Sequence, residues 1–184
     1  MKSLFTIHAG EYLVGSEINR KLRHVNIWLP EKDTGIDLLI TNKKNKKTVS
    51  LQVKFSRDYL VTHMKGNAFQ RGLQACGWWK LNRQKIVKSQ AEYWIFVLLG
   101  FDNRSKDFVI IKSDDLLKRL DKIHGNSSKF FDLYFWVTKR DKCYEARSLT
   151  PTEKLNIADG KFKNRACDFT KYLNNWAPIE VLDD

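Results

Sequence analysis

The chain has 184 residues, 42% of them hydrophobic and 12% aromatic, which suffices for one domain with a sizeable core and excludes the disordered class. Lys and Arg total 33 against 21 Asp and Glu, which gives a formal net charge of +12. Because cationic side chains displace counterions from phosphates, this excess favours nucleic acid as a partner over an anionic membrane surface or no polyanion at all.

Cysteine usage and hydropathy favour a reducing compartment. Cys76, Cys143 and Cys167 are widely spaced, odd in number and form no CxxC pair, so we expect free thiols and no zinc knuckle. The longest apolar run, residues 93–99, is too short to cross a bilayer, and the first residues lack the apolar stretch of a secretory signal. We therefore expect a cytoplasmic protein with no membrane partner.

The first half of the chain predicts a helix and then a set of strands. Good helix formers without proline predict a helix over residues 10–24. Strands with β-branched and aromatic residues follow over residues 25–29 (VNIWL), 36–41 (IDLLIT) and 48–55 (TVSLQVKF). Pro30 ends the first of these strands, and the polar turn at residues 42–47 joins the other two into a β-hairpin.

The last strand of this hairpin alternates strictly between its two faces. One face carries Val49, Leu51, Val53 and Phe55, and the other carries Ser50, Gln52, Lys54 and Ser56. The polar face is therefore a candidate for chemistry.

The second half of the chain predicts further helices and strands. A helix is predicted over residues 68–88, although Gly72 and Gly77 interrupt it. Strands are predicted over residues 92–99, 107–112 and 130–138. Helices are predicted over residues 114–122, with Ser113 as the cap, and over residues 168–176.

This order of elements predicts one α/β domain built on a mixed β-sheet with helices on its faces. We divide it into a core over residues 1–140 and a C-terminal extension over residues 141–184 that packs on the same domain.

Glu11, Asp37, Gln52 and Lys54 form the one constellation that points to a reaction. Asp37 lies near the start of its strand and can reach the face that carries Gln52 and Lys54. A hard cation such as Mg²⁺ accepts few protein oxygens and keeps several waters, and an ammonium group can stabilise charge on a phosphate. Each residue alone has a plainer interpretation, as a turn or cap residue for Asp37 and as a solvated strand face for Lys54.

These residues resemble the PD-(D/E)XK nuclease superfamily, to which restriction-endonuclease-like, homing-endonuclease-like and resolvase-like enzymes belong. The resemblance is carried by AGE at 9–11, GID at 35–37 and LQVKFS at 51–56, and it extends over roughly residues 8–112. It implies a restriction-endonuclease-like fold, with a glutamate on the first helix, an aspartate at the second strand and an acid-x-lysine pair on the third. Ile36 stands where the signature has proline, and Gln52 stands where it usually has an acid.

The resemblance implies a metal-dependent endonuclease that hydrolyses DNA, with Mg²⁺ or alternatively Mn²⁺ and no small-molecule cofactor. Asp37, Gln52 and the Val53 carbonyl hold the metal in this interpretation, Lys54 orients the attacking water, and Glu11 supports the metal's waters. Because cutting both strands needs two active centres, we expect a homodimer. A decayed DNA-binding protein of the same fold and a Holliday-junction resolvase remain alternatives.

Further basic and polar residues are candidates for DNA contacts, each with a plain alternative as a solvated surface residue. They are Lys43, Lys44, Lys46 and Lys47 in the hairpin turn, Ser56 at the end of the strand that carries Gln52 and Lys54, His63 beyond that strand, and Lys80 and Arg83 in the predicted helix. Lys85 and Lys88 continue the helical spacing of Lys80 and Arg83. Of Trp78 and Trp79, we expect one to be buried and one exposed, with packing favoured over base stacking.

Overall fold

The computed structural model describes residues 9–31, 35–56 and 67–182. Its helices are α1 (Ala9–Lys21), α2 (Asn67–Gly72), α3 (Arg83–Val87), α4 (Ser113–His124), α5 (Pro151–Asp159) and α6 (Ala177–Glu180). Its strands are β1 (Val25–Trp28), β2 (Leu38–Asn42), β3 (Thr48–Ser56), β4 (Leu73–Asn82), β5 (Tyr93–Leu99), β6 (Lys106–Lys112), β7 (Phe130–Thr138) and β8 (Cys143–Glu145). The protein is thus of mixed α/β class, as its sequence predicts.

The strands form two sheets. The larger one has five strands in the order β1-β2-β3-β5-β6, and the smaller one has three in the order β4-β7-β8. The strands from β1 to β3 are antiparallel, β3 and β5 run parallel, and β6 returns antiparallel to β5. The five-stranded sheet is therefore mixed, with the predicted hairpin β2–β3 next to its centre.

Each face of the five-stranded sheet is covered by a different layer. On one face, Leu51 and Val53 of β3 pack with Val14 and Ile18 of α1 and with Trp176 near the C-terminal end. On the other face, the inner side of the three-stranded sheet packs against β5 and β6 through buried aromatic rings such as Trp79, Phe96 and Phe135. The polar face of β3 points toward this second layer.

The C-terminal segment closes one edge of the five-stranded sheet. The Asn174 side chain accepts a hydrogen bond from the Phe108 N–H at 2.9 Å and donates one to the Asp107 carboxylate at 3.0 Å. Leu173 forms an isolated bridge with Val109 of β6. At the opposite edge, β1 gains no further strand from the part of the chain that the structure describes.

The helix predicted over residues 68–88 forms only at its two ends, within α2 and as α3, because the ten residues between them, 73–82, form β4. Exposure alternates along the strand, with Trp79 and Leu81 buried and Trp78 and Lys80 exposed. Gly77 leaves room for the buried Trp79 ring, because a Cβ at position 77 would lie 2.3 Å from that ring. Pairing of β4 with β7 along nine residue pairs outweighs the local preference for helix.

Two predictions near the chain's last third are also corrected. The helix predicted over residues 168–176 contains only a short 3₁₀ turn, Thr170–Tyr172, and a helix that the prediction omitted forms at α5. A capping box between Thr150 and Glu153 starts α5, with Pro151 at its first position. Lys112 occupies the cap position of α4, while the Ser113 hydroxyl donates to the Glu92 carbonyl at 3.2 Å.

Candidate active site

Asp37 stands one residue before β2 and faces Gln52 across the hairpin. Its backbone N–H donates to the Leu51 carbonyl at 2.8 Å, which extends the β2–β3 ladder. Its carboxylate accepts a hydrogen bond from the Gln52 amide and another from the Val53 N–H at 2.7 Å. Asp37 and Gln52 therefore meet on one side of the hairpin.

The same contacts fix the direction of the Val53 carbonyl. The last pair of the β2–β3 ladder is Leu38 with Leu51, so Val53 lies beyond it and the Asp37 side chain takes the place of a strand partner. Because the N–H and C=O of a strand residue point to the same side, the Val53 carbonyl is directed toward the side on which Asp37 lies.

Gly35 shapes the entry of the chain into this site. Its φ angle is 83°, in the left-handed region that residues with a side chain rarely adopt. The position at which a Cβ would stand lies 3.9 Å from the Gln52 amide oxygen. The glycine thus turns the backbone close to Gln52, just before Asp37.

Lys54 extends from β3 beside a buried aromatic ring. Its Nζ lies 5.6 Å from the centroid of the Trp94 ring on the neighbouring strand β5. The Trp94 indole donates to the Ser89 hydroxyl at 3.1 Å, which holds the ring in place. The ammonium group therefore rests on a fixed surface next to Gln52.

Glu11 reaches the site because the start of α1 packs tightly on β3. The neighbouring Gly10 is buried, and a Cβ there would lie 2.8 Å from the Phe55 Cβ and 3.1 Å from the Val53 Cγ1. Only a residue without a side chain allows the helix to approach this closely. Gly10 thereby brings Glu11 to the end of β3 that carries Lys54.

All four predicted catalytic residues line one cleft of about 1090 Å³. The facing wall consists of the end of β4, helix α3 and the first residue of β7, and it carries Lys80, Lys85, Lys88 and Phe130. The cleft therefore opposes the two carboxylates of Glu11 and Asp37 with a row of exposed lysines. This charge arrangement suits an anionic ligand that lies between the two walls.

The donor set of the cleft fits a hard divalent cation. Asp37, Glu11, the Gln52 amide oxygen and the Val53 carbonyl are all oxygen donors, which Mg²⁺ prefers while it keeps several waters. An amide can donate from its nitrogen to Asp37 while its oxygen faces an ion. Across the described residues, no group of three or more His, Cys, Asp or Glu side chains is placed to hold a metal.

The four lysines predicted to contact DNA from the hairpin turn stand apart from the cleft. Lys43, Lys44, Lys46 and Lys47 are exposed at the far end of β2 and β3. Asn42 comes five positions after Asp37, which corresponds to roughly 16 Å along a strand. The Asn42 side chain shapes the turn by accepting hydrogen bonds from the N–H groups of Lys46 and Lys47.

The other predicted DNA contacts have different surroundings. Lys80 lines the cleft, but from strand β4 and not from a helix. Arg83 pairs with Asp121 of α4 through two hydrogen bonds of 2.9 and 2.8 Å, which lower the pKa of the Asp121 carboxyl. The Ser56 hydroxyl accepts from the Trp78 N–H at 3.0 Å and ties β3 to β4, while His63 lies outside the described residues.

Sequence reasoning missed much of the facing wall. Trp94, Gln84, Gln90 and Phe130 line the cleft together with the predicted residues. Their positions depend on the packing of β4, α3 and β7 against β5. The available signal was the alternation of Trp78, Lys80 and Asn82, which indicates a strand that points these residues to one side.

The chain matches no protein-family model, no curated protein and no solved structure. Among the described residues, no helix is long and apolar enough to cross a membrane.

Proposed function

We propose that the protein is a metal-dependent endonuclease that hydrolyses phosphodiester bonds in DNA. The observation that carries this proposal is the convergence of Glu11, Asp37, Gln52 and Lys54 on one cleft whose facing wall is basic. Oxygen donors, an ammonium group and a cationic wall are what phosphodiester hydrolysis requires.

The arrangement of elements supports a restriction-endonuclease-like fold. Glu11 lies on the first helix, α1, and Asp37 directly precedes the second strand, β2. Gln52 and Lys54 lie on the third strand, β3. The parallel pairing of β3 with β5 places a buried strand next to this third strand. These positions follow the order that the resemblance implies.

Each residue has a distinct role in the proposed reaction. Asp37, the Gln52 amide oxygen and the Val53 carbonyl would hold the cation, and Glu11 would accept hydrogen bonds from water bound to it. A bound Mg²⁺ or Mn²⁺ supplies Lewis-acid polarisation of the phosphate. The Lys54 ammonium orients the attacking water and stabilises the negative charge that builds on the phosphate oxygens.

Assembly and location belong to the same proposal. Two active centres are needed to cut both strands, so we expect a homodimer. Cys76, Cys143 and Cys167 are buried free thiols, in keeping with the reducing conditions of a cytoplasm.

One observation favours the alternative of a DNA-binding protein that does not cleave. The Gln52 amide donates to Asp37, so the two side chains satisfy each other without a cation. A neutral amide is also a weaker Mg²⁺ ligand than the carboxylate that the superfamily usually has here.

A cleavage assay on supercoiled, linear and branched DNA tests the proposal. Asp37→Asn keeps the shape of the side chain but removes its charge, so we expect it to lower cleavage on the order of 100-fold or more while DNA binding persists. Wild type should cleave with Mg²⁺ or Mn²⁺ and stop with EDTA. Preference for the branched substrate would indicate a resolvase.

Asp114→Asn is the matched control, because Asp114 is an exposed acid of α4 outside the cleft. It should cleave like wild type. Full activity of Asp37→Asn would contradict the assignment of the metal site. Salt-sensitive DNA binding without cleavage of any substrate would favour the binding-protein alternative.

A further inference from the structure

The outer face of the three-stranded sheet is covered along only part of its length. Near the start of β4, helices α2 and α5 cover the buried side chains of Leu73, Cys76 and Trp136. Toward the end of β4, the outward residues Trp78, Lys80 and Asn82 are partly or fully exposed. Trp78, Lys80 and Asn82, together with Phe130 of β7, form the open sheet face.

Two large aromatic side chains stand on the open sheet face. Trp78 and Phe130 are both 44% exposed, and Phe130 pairs with Asn82 two residues beyond Lys80. A sheet face in contact with water normally carries polar residues. Exposed aromatic rings on a regular strand pair therefore point to a ligand that covers them.

Lysines accompany these rings. The Lys80 Nζ lies 5.1 Å and the Lys129 Nζ 5.7 Å from the centroid of the Phe130 ring. Asp132 stands opposite Lys80 on the same face, and its carboxylate lies 4.0 Å from the Arg147 guanidinium, so this one acid is accompanied by Lys80, Lys129 and Arg147. The open sheet face thus combines ring surfaces with net positive charge.

The open sheet face continues into the cleft. Lys80 and Phe130 belong to both, and Phe130 stands on the wall opposite Asp37. A strand of nucleic acid that lies on the sheet can therefore follow the lysines into the cleft. Its phosphates would then pass the residues that the proposed reaction uses.

We propose that the open sheet face binds a single-stranded segment of DNA, with bases stacked on Trp78 and Phe130 and phosphates bound by Lys80 and Lys129. This inference rests on the proposed nuclease function and narrows its substrate to DNA with an unpaired stretch. Aromatic rings with basic neighbours are the usual platform for unpaired bases. In a regular duplex the base faces cover one another, so these rings have no base face to contact.

Fluorescence anisotropy with a labelled single strand and with a duplex of the same sequence tests the proposal. All measurements contain EDTA, so binding is read without cleavage. Wild type should bind the single strand more tightly than the duplex. Phe130→Leu and Trp78→Leu should each weaken binding of the single strand by about 5- to 100-fold and leave binding of the duplex nearly unchanged.

Three further variants separate stacking from general effects. Phe130→Tyr keeps a ring and should retain the affinity for the single strand. Tyr12→Leu removes an aromatic ring that is 65% exposed on α1 and should change nothing. Lys80→Gln should make binding less dependent on salt concentration, while Lys118→Gln, an exposed lysine of α4, should not.

Equal affinity of wild type for both DNA forms would overturn the proposal, as would full affinity of Phe130→Leu and Trp78→Leu for the single strand. Circular dichroism and thermal unfolding of each variant exclude misfolding as the cause of a loss. Because no metal is present, a failure of the nuclease proposal in the cleavage assay would leave this result standing.

Discussion

Glu145 is a carboxylic acid that the fold removes from water. It is fully buried in β8, where its carboxylate accepts hydrogen bonds from the N–H groups of Arg147 at 2.8 Å and Tyr134 at 3.3 Å. Burial raises the pKa of this carboxyl to about 7. The His124 Nε2 lies 4.0 Å from it, and burial lowers the pKa of that imidazole, so burial disfavours the charged form of both groups.

The raised pKa makes stability depend on pH. The folded state binds this proton more tightly than the unfolded chain, whose carboxyl has a pKa near 4.5. The contribution of Glu145 to stability is therefore greatest below pH 4.5 and is lost as pH rises to about 7. His124 acts in the opposite sense, because its lowered pKa costs stability as pH falls below its ordinary value.

Glu145→Gln should remove the free-energy cost of ionising the buried Glu145 carboxyl and leave His124 as it is. The glutamine oxygen can still accept hydrogen bonds from the N–H groups of Arg147 and Tyr134. At pH 8 we expect the variant to be more stable than wild type by about 1–3 kcal/mol, since one pKa unit corresponds to about 1.4 kcal/mol. The difference should vanish near pH 4. Urea unfolding at pH 4, 6 and 8 measures this, with exposed Glu92→Gln as control, and a gain that does not depend on pH would contradict the assignment.

Among the elements, α1 carries two glycines that the structure treats differently. A Cβ at Gly10 would press against Phe55 at 2.8 Å, whereas a Cβ at Gly15 would meet only the Ile27 Cδ1 at an ordinary 3.9 Å. Both positions lie in the same helix, where alanine is favoured over glycine by about 1 kcal/mol. The packing against β3 thus decides whether replacing the glycine by alanine raises or lowers the stability of the protein.

Gly15→Ala should stabilise the protein by about 0.5–1 kcal/mol and leave cleavage unchanged. Gly10→Ala should lower the melting temperature and, because it moves Glu11 away from the end of β3, lower Mg²⁺-dependent cleavage as well. Thermal unfolding and the cleavage assay check both effects. The same response of the two variants would show that α1 does not depend on close contact at Gly10.

The elements also show what could be predicted from sequence. The hairpin β2–β3 was predictable because two-residue alternation and a polar turn set its register, which brought Asp37 opposite Gln52. The strand at residues 73–82, between α2 and α3, was not, because its Leu, Gln, Ala and Lys residues favour helix locally. It forms by pairing with β7, about fifty residues later along the chain, and local patterns carry no information on such pairing. The facing wall of the cleft was missed for the same reason.

At the scale of the whole molecule, residues beyond 140 complete both layers of the core. Phe169 packs between the two sheets. Trp176, Ile179 and Leu182 pack with α1 on the outer side of the five-stranded sheet, where the Trp176 and Phe108 rings meet at 5.1 Å. The cleft therefore depends on a segment that contributes no residue to its lining.

Trp176→Ala should destabilise the protein by about 3–5 kcal/mol, the usual cost of removing a buried tryptophan. The control is Val181→Ala in the same segment, since Val181 is 56% exposed and should change stability by less than about 0.5 kcal/mol. Urea unfolding of both variants measures the difference. Equal stabilities would show that the C-terminal segment is not part of the cooperative core.

The two edges of the five-stranded sheet differ in a way that limits self-association. Asn174 and Leu173 occupy the β6 edge, while β1 gains no strand from the described residues. A sheet with two open edges can add copies without end and grow into a fibre. At the β6 edge, Asn174 and Leu173 already occupy the backbone around residues 107–109, so a further strand cannot pair there without displacing them. Strand addition through β1 would therefore favour a symmetric pair over a growing fibre.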